Sequence, residues 1–104
     1  MPDVTLCKVG DVEDGSARRF DLDGYRLCAV NIGGRFSVID DECSHEDYSL
    51  SEGDVWPDEC EIECPKHGST FSLTTGEAHT LPATRPVSVY ETRIEGDDVV
   101  VVLP

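Results

Sequence analysis

The chain reads as an all-β domain, a sandwich or barrel, and three features of its sequence say so. Short runs rich in β-branched and aromatic residues alternate with turn residues. No stretch sustains a 3.6-residue apolar period. Two-residue turn signals sit between neighbouring runs. At 104 residues it is one domain, 1–104, large enough for a modest core yet near the size at which a bound metal helps stability.

The elements follow in order. Residues 4–7 form a first strand and 9–15 a loop. Residues 17–22 and Tyr25–Ile32 flank Asp23-Gly24, a strong hairpin signal because tight two-residue loops need positive φ. Gly33-Gly34 turns the chain into Arg35–Asp40, and these four runs are expected to form a meander that delivers it to Cys43. Glu61–Glu63 is a short strand leading into Cys64, Thr70–Ser72 leads away, and 74–77 is a turn. Residues 87–94 and 98–103 close the domain as two strands around a turn at Glu95-Gly96-Asp97.

Two short runs carry the chemistry: Cys43-Ser44-His45 and Cys64-Pro65-Lys66-His67, with 18 residues between His45 and Cys64. Thiolates suit iron–sulfur clusters and zinc, and imidazole suits zinc, iron, copper and nickel. Two of each fit either a tetrahedral zinc site or a two-iron cluster. Zinc modules usually group cysteines as C-x₂₋₄-C and histidines as H-x₃₋₅-H. Here each run holds one Cys and one His, so each can give one ligand to each of two metals, which favours iron. Pro65 stiffens the second run, and Gly68 permits a tight turn behind it.

Composition narrows the classes further. The net charge is −14, and residues 46–63 hold eight acids (Glu46, Asp47, Glu52, Asp54, Asp58, Glu59, Glu61, Glu63) with no Lys or Arg. Such a segment solvates the chain and also steers basic partner surfaces. It excludes nucleic acid, whose phosphates demand the opposite sign. No run approaches the ~20 apolar residues of a membrane span, and none resembles a signal peptide, so a cytoplasmic protein is expected. Five cysteines, an odd number, fit a reducing compartment better than a disulfide framework. Cys7 and Cys28 lie in apolar-alternating segments and read as small buried hydrophobes, while Cys60 falls outside the two-plus-two ligand pattern. His79 and Lys66 read as solvated surface residues, and the single tryptophan, Trp56, is expected to pack against its surroundings.

The two runs, with Gly68-Ser69-Thr70-Phe71 behind the second, resemble the Rieske [2Fe–2S] family. Residues 48–53 after the first run, Leu81-Pro82-Ala83 and the closing residues 94–99 fit as well. The likeness covers nearly the whole chain and is greatest to the small Rieske ferredoxins of multicomponent bacterial oxygenases. It implies an antiparallel β-sandwich or barrel-like base with an inserted cluster-binding subdomain at about 42–83. It implies one [2Fe–2S] cluster per chain, with Cys43 and Cys64 on the inner iron and His45 and His67 on the outer, reducible one. The 18-residue spacer is longer than the ferredoxin pattern and reads as a surface-loop insertion, which costs little.

The resemblance also implies a function: a soluble, monomeric one-electron carrier rather than an enzyme. It would connect a flavin-dependent ferredoxin reductase to a terminal oxygenase, both with basic docking surfaces. The alternatives are a Rieske protein of another pathway, such as iron–sulfur assembly or a nitrite-reductase-like complex, and, in a different class, a structural zinc or docking module. High-potential respiratory members brace the site with a disulfide and with Ser and Tyr hydroxyls. This chain has Tyr48 or its neighbours and Lys66 where those cysteines would fall, keeps Ser69, and has Phe71 in place of the tyrosine. Neighbouring acids further disfavour an added electron. A redox titration is therefore expected to place the midpoint in the lower part of the roughly −150 to +300 mV Rieske range; a value well above zero would contradict this reading.

Overall fold

The computed structural model describes residues 3–22, 24–42, 49–65, 68–78 and 86–103. Within them, ten strands form three antiparallel sheets. The strands are β1 (Asp3–Lys8), β2 (Ser16–Leu22), β3 (Tyr25–Ile32), β4 (Arg35–Asp40), β5 (Val55–Trp56), β6 (Glu61–Glu63), β7 (Thr70–Ser72), β8 (Val89–Tyr90), β9 (Thr92–Glu95) and β10 (Asp98–Val102). The only helical pieces among the described residues are 3₁₀ turns at Val9–Asp11 and Leu50–Glu52. The all-β expectation holds.

The central sheet runs β2-β3-β4-β8. Its two tight turns behave as their residues require. β2 and β3 pair from Ser16↔Asn31 to Leu22↔Tyr25, with Gly24 at φ +84°. β3 and β4 pair down to Ile32↔Arg35 around Gly33 and Gly34, both at positive φ.

Side-chain parity then divides the core. Successive strand residues face opposite sides, so Cys28, Val30 and Ile39 enter one cluster while Leu27, Ala29 and Val38 enter another. The second cluster is closed by Cys7, Val99, Val101 and Leu103, from the β1-β10-β9 sheet and the residue following β10. The first is closed by Leu50, Ile62, Cys64, Phe71, Leu73 and Val87. Most of these belong to or border the small β5-β6-β7 sheet. The central sheet is thus covered on both faces, and β3 is buried continuously over residues 27–31.

Three expectations need correction. The first strand does not join the meander. It pairs with β10, with a bulge between Thr5 and Cys7, because the Val9–Asp11 turn, held by the Val9 amide on the Asp97 carbonyl, redirects the chain. Residues 87–94 are not one strand: the chain breaks at Glu91, leaving β8 on β4 and β9 on β10. Apolar alternation continues through such a crossing, so the sequence pattern does not reveal it. The acidic spacer is not a bare surface loop either. Besides the expected strand β6 it builds β5, with Val55↔Ile62 and Trp56↔Glu61 paired. Gly53 makes this possible, since a Cβ there would fall 1.6 Å from the Glu63 carbonyl oxygen.

The thiols of Cys7 and Cys28 are buried, as expected of small hydrophobes. Burial pushes the Cys7 thiol up to about 11, with Asp11 adding to the rise and Arg18 opposing it. Cys28 is raised by burial and then by Asp41, and Tyr90 by burial and its hydrogen bond with Asp40. A raised folded-state pKa means the unfolded chain loses its proton first, so stability is complete below the ordinary thiol value and declines above it. Unfolding free energy is expected to fall between about pH 9 and 11. Denaturant titrations across that interval check this, and Cys7→Ala should flatten the decline.

Candidate metal centre

Of the four sequence-predicted ligands, the described residues include Cys64; Cys43, His45 and His67 lie outside them, as do Tyr48, Lys66, His79 and Leu81-Pro82-Ala83. What the structure describes is how the ends of both ligand runs are held.

The first run is gripped on each side. Glu42 and Ser49 form an isolated antiparallel bridge across residues 43–48. The Leu50 amide donates to the Asp41 carbonyl at 2.6 Å, and the Ser51 amide donates to Asp41 Oδ1 at 2.9 Å. Asp41 has no solvent exposure. Its carboxylate faces Arg26 Nε at 3.4 Å and Arg19 Nε at 3.9 Å. Arg26 also donates from Nη2 to Ser49 Oγ at 2.9 Å and from Nη1 to Glu42 Oε2 at 3.4 Å. One arginine on β3 therefore reaches residues on both sides of the run.

The second run is closed by backbone. The Cys64 amide donates to the Ser69 carbonyl at 2.7 Å, and the Gly68 amide donates back to the Cys64 carbonyl at 3.1 Å. Gly68 sits at φ +74°, the left-handed region that glycine enters without penalty. Cys64 and Phe71 are both fully buried in the cluster that also holds Leu50, just past the first run. Ser69 is fully buried as well. The flanks of the two runs thus converge on one apolar floor. Phe71 contributes to that floor and brings no hydroxyl.

The donor set fits a two-iron cluster: two thiols and two imidazoles, one of each per run, with the described thiol fully buried among apolar side chains. Iron–sulfur centres are held by such thiolates, and imidazoles replace two of them in Rieske-type sites. Cys60 behaves differently. It is half-buried against the same floor, and its Sγ lies 3.8 Å from Thr74 Oγ1. It adopts φ +54°, with its amide on the Pro57 carbonyl and its carbonyl accepting from Leu73.

Sequence reasoning missed Asp41, Arg26 and Gly53. An aspartate two residues before Cys43 looks like one more surface acid, and only its burial reveals the anchor. Trp56 also departs from expectation: it is 44% exposed rather than packed, and its Nε1 donates to Glu63 Oε1 at 3.1 Å. Among the described residues, removing Arg26 would leave the Asp41 carboxylate with only the Ser51 amide and the more distant Arg19. Arg26→Ala is expected to cost about 1.5–3 kcal/mol, the range for a charged hydrogen-bonded partner, since its own side chain is partly solvated. Chemical denaturation measures the loss, and Arg26→Lys should recover only part of it.

Comparison with known proteins agrees with this geometry. The model of the Rieske [2Fe-2S] domain matches residues 3–91. The 3-phenylpropionate/cinnamic acid dioxygenase ferredoxin subunit of Shigella flexneri serotype 5b (strain 8401) is 42% identical over 104 residues, covering 100% of this chain and 96% of that protein. The ferredoxin of carbazole 1,9a-dioxygenase from Nocardioides aromaticivorans IC177 superposes with a TM-score of 0.92 at 30% identity, covering 97% of each chain. A complex of reduced oxygenase and oxidised ferredoxin in carbazole 1,9a-dioxygenase matches with a TM-score of 0.86 at 34% identity, over 95% of this chain and 91% of that one. A family model spanning residues 3–91 and a full-length relative lead to one conclusion: this chain belongs to the Rieske [2Fe–2S] domain family.

Proposed function

We propose that this protein is a one-electron carrier, the ferredoxin component of a dioxygenase system. It would receive an electron from a flavin-dependent reductase and deliver it to a terminal oxygenase. The observation that carries this reading is the 42% identity, across the entire chain, to a dioxygenase ferredoxin subunit. The matching ferredoxin caught with its oxygenase supports the direction of delivery.

In this reading Cys43 and Cys64 hold one iron and His45 and His67 the other, within the cluster-binding part at about 42–83. The bound cluster supplies a one-electron couple at higher potential than all-cysteine centres, because neutral imidazoles replace two anionic thiolates. The chain does the rest. Cys64, on the floor of Leu50, Ile62 and Phe71, sets the dry side of the site. The Asp41–Arg26 clamp fixes the ends of the first run, and the Cys64–Ser69 and Gly68–Cys64 backbone pairs fix the second.

The net charge of −14 and the cation-free segment 46–63 favour partners with basic docking surfaces. Among the described residues no helix is long and apolar enough to cross a membrane. A cytoplasmic monomer is the working picture.

Anaerobically purified protein is expected to be red-brown, with two irons per chain and, after dithionite, an EPR signal of lowered average g. Cys43→Ser, Cys64→Ser, His45→Ala and His67→Ala should each lose iron, while Cys60→Ser should keep it. Stopped-flow mixing of the reduced protein with a Rieske oxygenase should reoxidise it within turnover time. A colourless chain with one zinc would overturn the reading in favour of a structural module. An iron-replete chain that only a different pathway's acceptor reoxidises would move it to that pathway.

A further inference from the structure

We infer that Glu63, tethered by the indole of Trp56, is a fixed negative charge that lowers the reduction potential of the metal centre. The inference rests on the ligand assignment proposed above for Cys43, His45, Cys64 and His67.

A tryptophan 44% exposed leaves much of a large apolar ring in water, so its placement needs a reason. On the β5–β6 pair Trp56 stands opposite Glu61, and Glu63, two residues on, projects from the same face. That diagonal is within reach of an aromatic side chain. The indole Nε1 takes it, donating to Glu63 Oε1 at 3.1 Å.

The other carboxylate oxygen then lies against Gly68, at the end of the second ligand run. Glu63 Oε2 lies 3.9 Å from where a Cβ on Gly68 would stand. Gly68 directly follows His67, and Glu63 directly precedes Cys64. The carboxylate therefore lies beside the residue that follows His67, while its own backbone leads directly into Cys64. It is half-buried, so water screens it less than the exposed acids Asp58 and Glu59 of the same segment. Reduction adds negative charge at the centre, and a held carboxylate there disfavours the reduced form. The indole's part is to keep that carboxylate from swinging out to solvent, which makes Trp56 a positioning residue.

Redox titration of iron-loaded wild type, Glu63→Gln, Trp56→Phe and Glu59→Gln tests this. Glutamine keeps an oxygen for the indole and removes only the charge. Glu63→Gln is expected to move the reduced-to-oxidised ratio at a fixed reference by about threefold to tenfold toward reduced, tenfold being about 59 mV for a one-electron couple. Trp56→Phe should move it the same way by less, and Glu59→Gln should move it least. A Glu63→Gln shift no larger than that of Glu59→Gln would overturn the proposal, as would a Trp56→Phe potential equal to wild type. A second readout does not depend on potential. The single tryptophan yields one indole N–H resonance, which Glu63→Ala should displace and Glu63→Gln leave near its original position; an unmoved resonance in Glu63→Ala removes the tether and the proposal. Iron-replete variants with unshifted potentials reject this inference alone. A wild-type chain that binds no iron rejects both it and the ligand assignment beneath it.

Discussion

The buried carboxylate of Asp41 is the constraint on which the end of the molecule carrying the two Cys/His runs depends. Removing such a charge from water costs several kcal/mol, and the cost is tolerable only if the surroundings replace hydration with charge and hydrogen bonds. Arg26 and Arg19 supply the charge, and the Ser51 amide supplies a hydrogen bond. These partners come from β2, β3 and the segment beyond the first ligand run, so meeting the carboxylate's needs also sets how those segments meet. Buried ion pairs contribute little net stability compared with well-packed apolar groups. Here the consequence is geometric: residues 41 and 49–51 are held together, and the run between them must span that fixed gap.

The anchor works because the sheet that carries it cannot shift. With Cys28, Val30 and Ile39 on one face and Leu27, Ala29 and Val38 on the other, a slip of one residue would exchange the contents of two different cores. Each core is closed by a separate sheet, so the register of β3 and β4 is specified from both sides. The face toward the small sheet is also the face on which Cys64 is buried. Packing and the metal-binding region therefore share residues: Leu50 and Ile62 fill the core and at the same time floor the site. Among the described residues no buried side-chain nitrogen or oxygen lacks a hydrogen-bond partner, consistent with an architecture satisfied at each polar group it encloses.

Much of this was legible in the residues. Asp23-Gly24 and Gly33-Gly34 announced the hairpins because two-residue turns demand positive φ, and Gly24, Gly33 and Gly34 adopt it. The strands on either side of Cys64 were readable for the same local reason, from short alternating runs next to turn residues. Pairing between distant segments was not. Nothing in Val4-Thr5-Leu6-Cys7 says that its partner lies some ninety residues away, and the crossing at Glu91 leaves no mark in an alternating apolar pattern. The same limit hid the supports of the site. Arg26 on β3 and Asp41 just past the end of β4 are 15 residues apart, and each alone looks like an ordinary exposed charge. Trp56 misled in the opposite direction, since it is expected to pack against its surroundings yet lies largely open on a two-residue strand.

The acidity of the chain has two effects that distance and burial keep apart. Exposed acids act through solvent, where charge is screened within about 8 Å at physiological ionic strength, so their influence falls on encounter with a partner and fades with salt. A partly buried, tethered carboxylate beside Gly68 is less open to that screening and acts on the energy of the electron itself. The same residue type therefore serves two quantities, association rate and driving force, according to whether its carboxylate is free in water or held. Raising salt should weaken the first far more than the second. That separation would let a carrier of net charge −14 adjust how its exposed acids act on encounter with a partner without resetting the potential at which it gives up its electron.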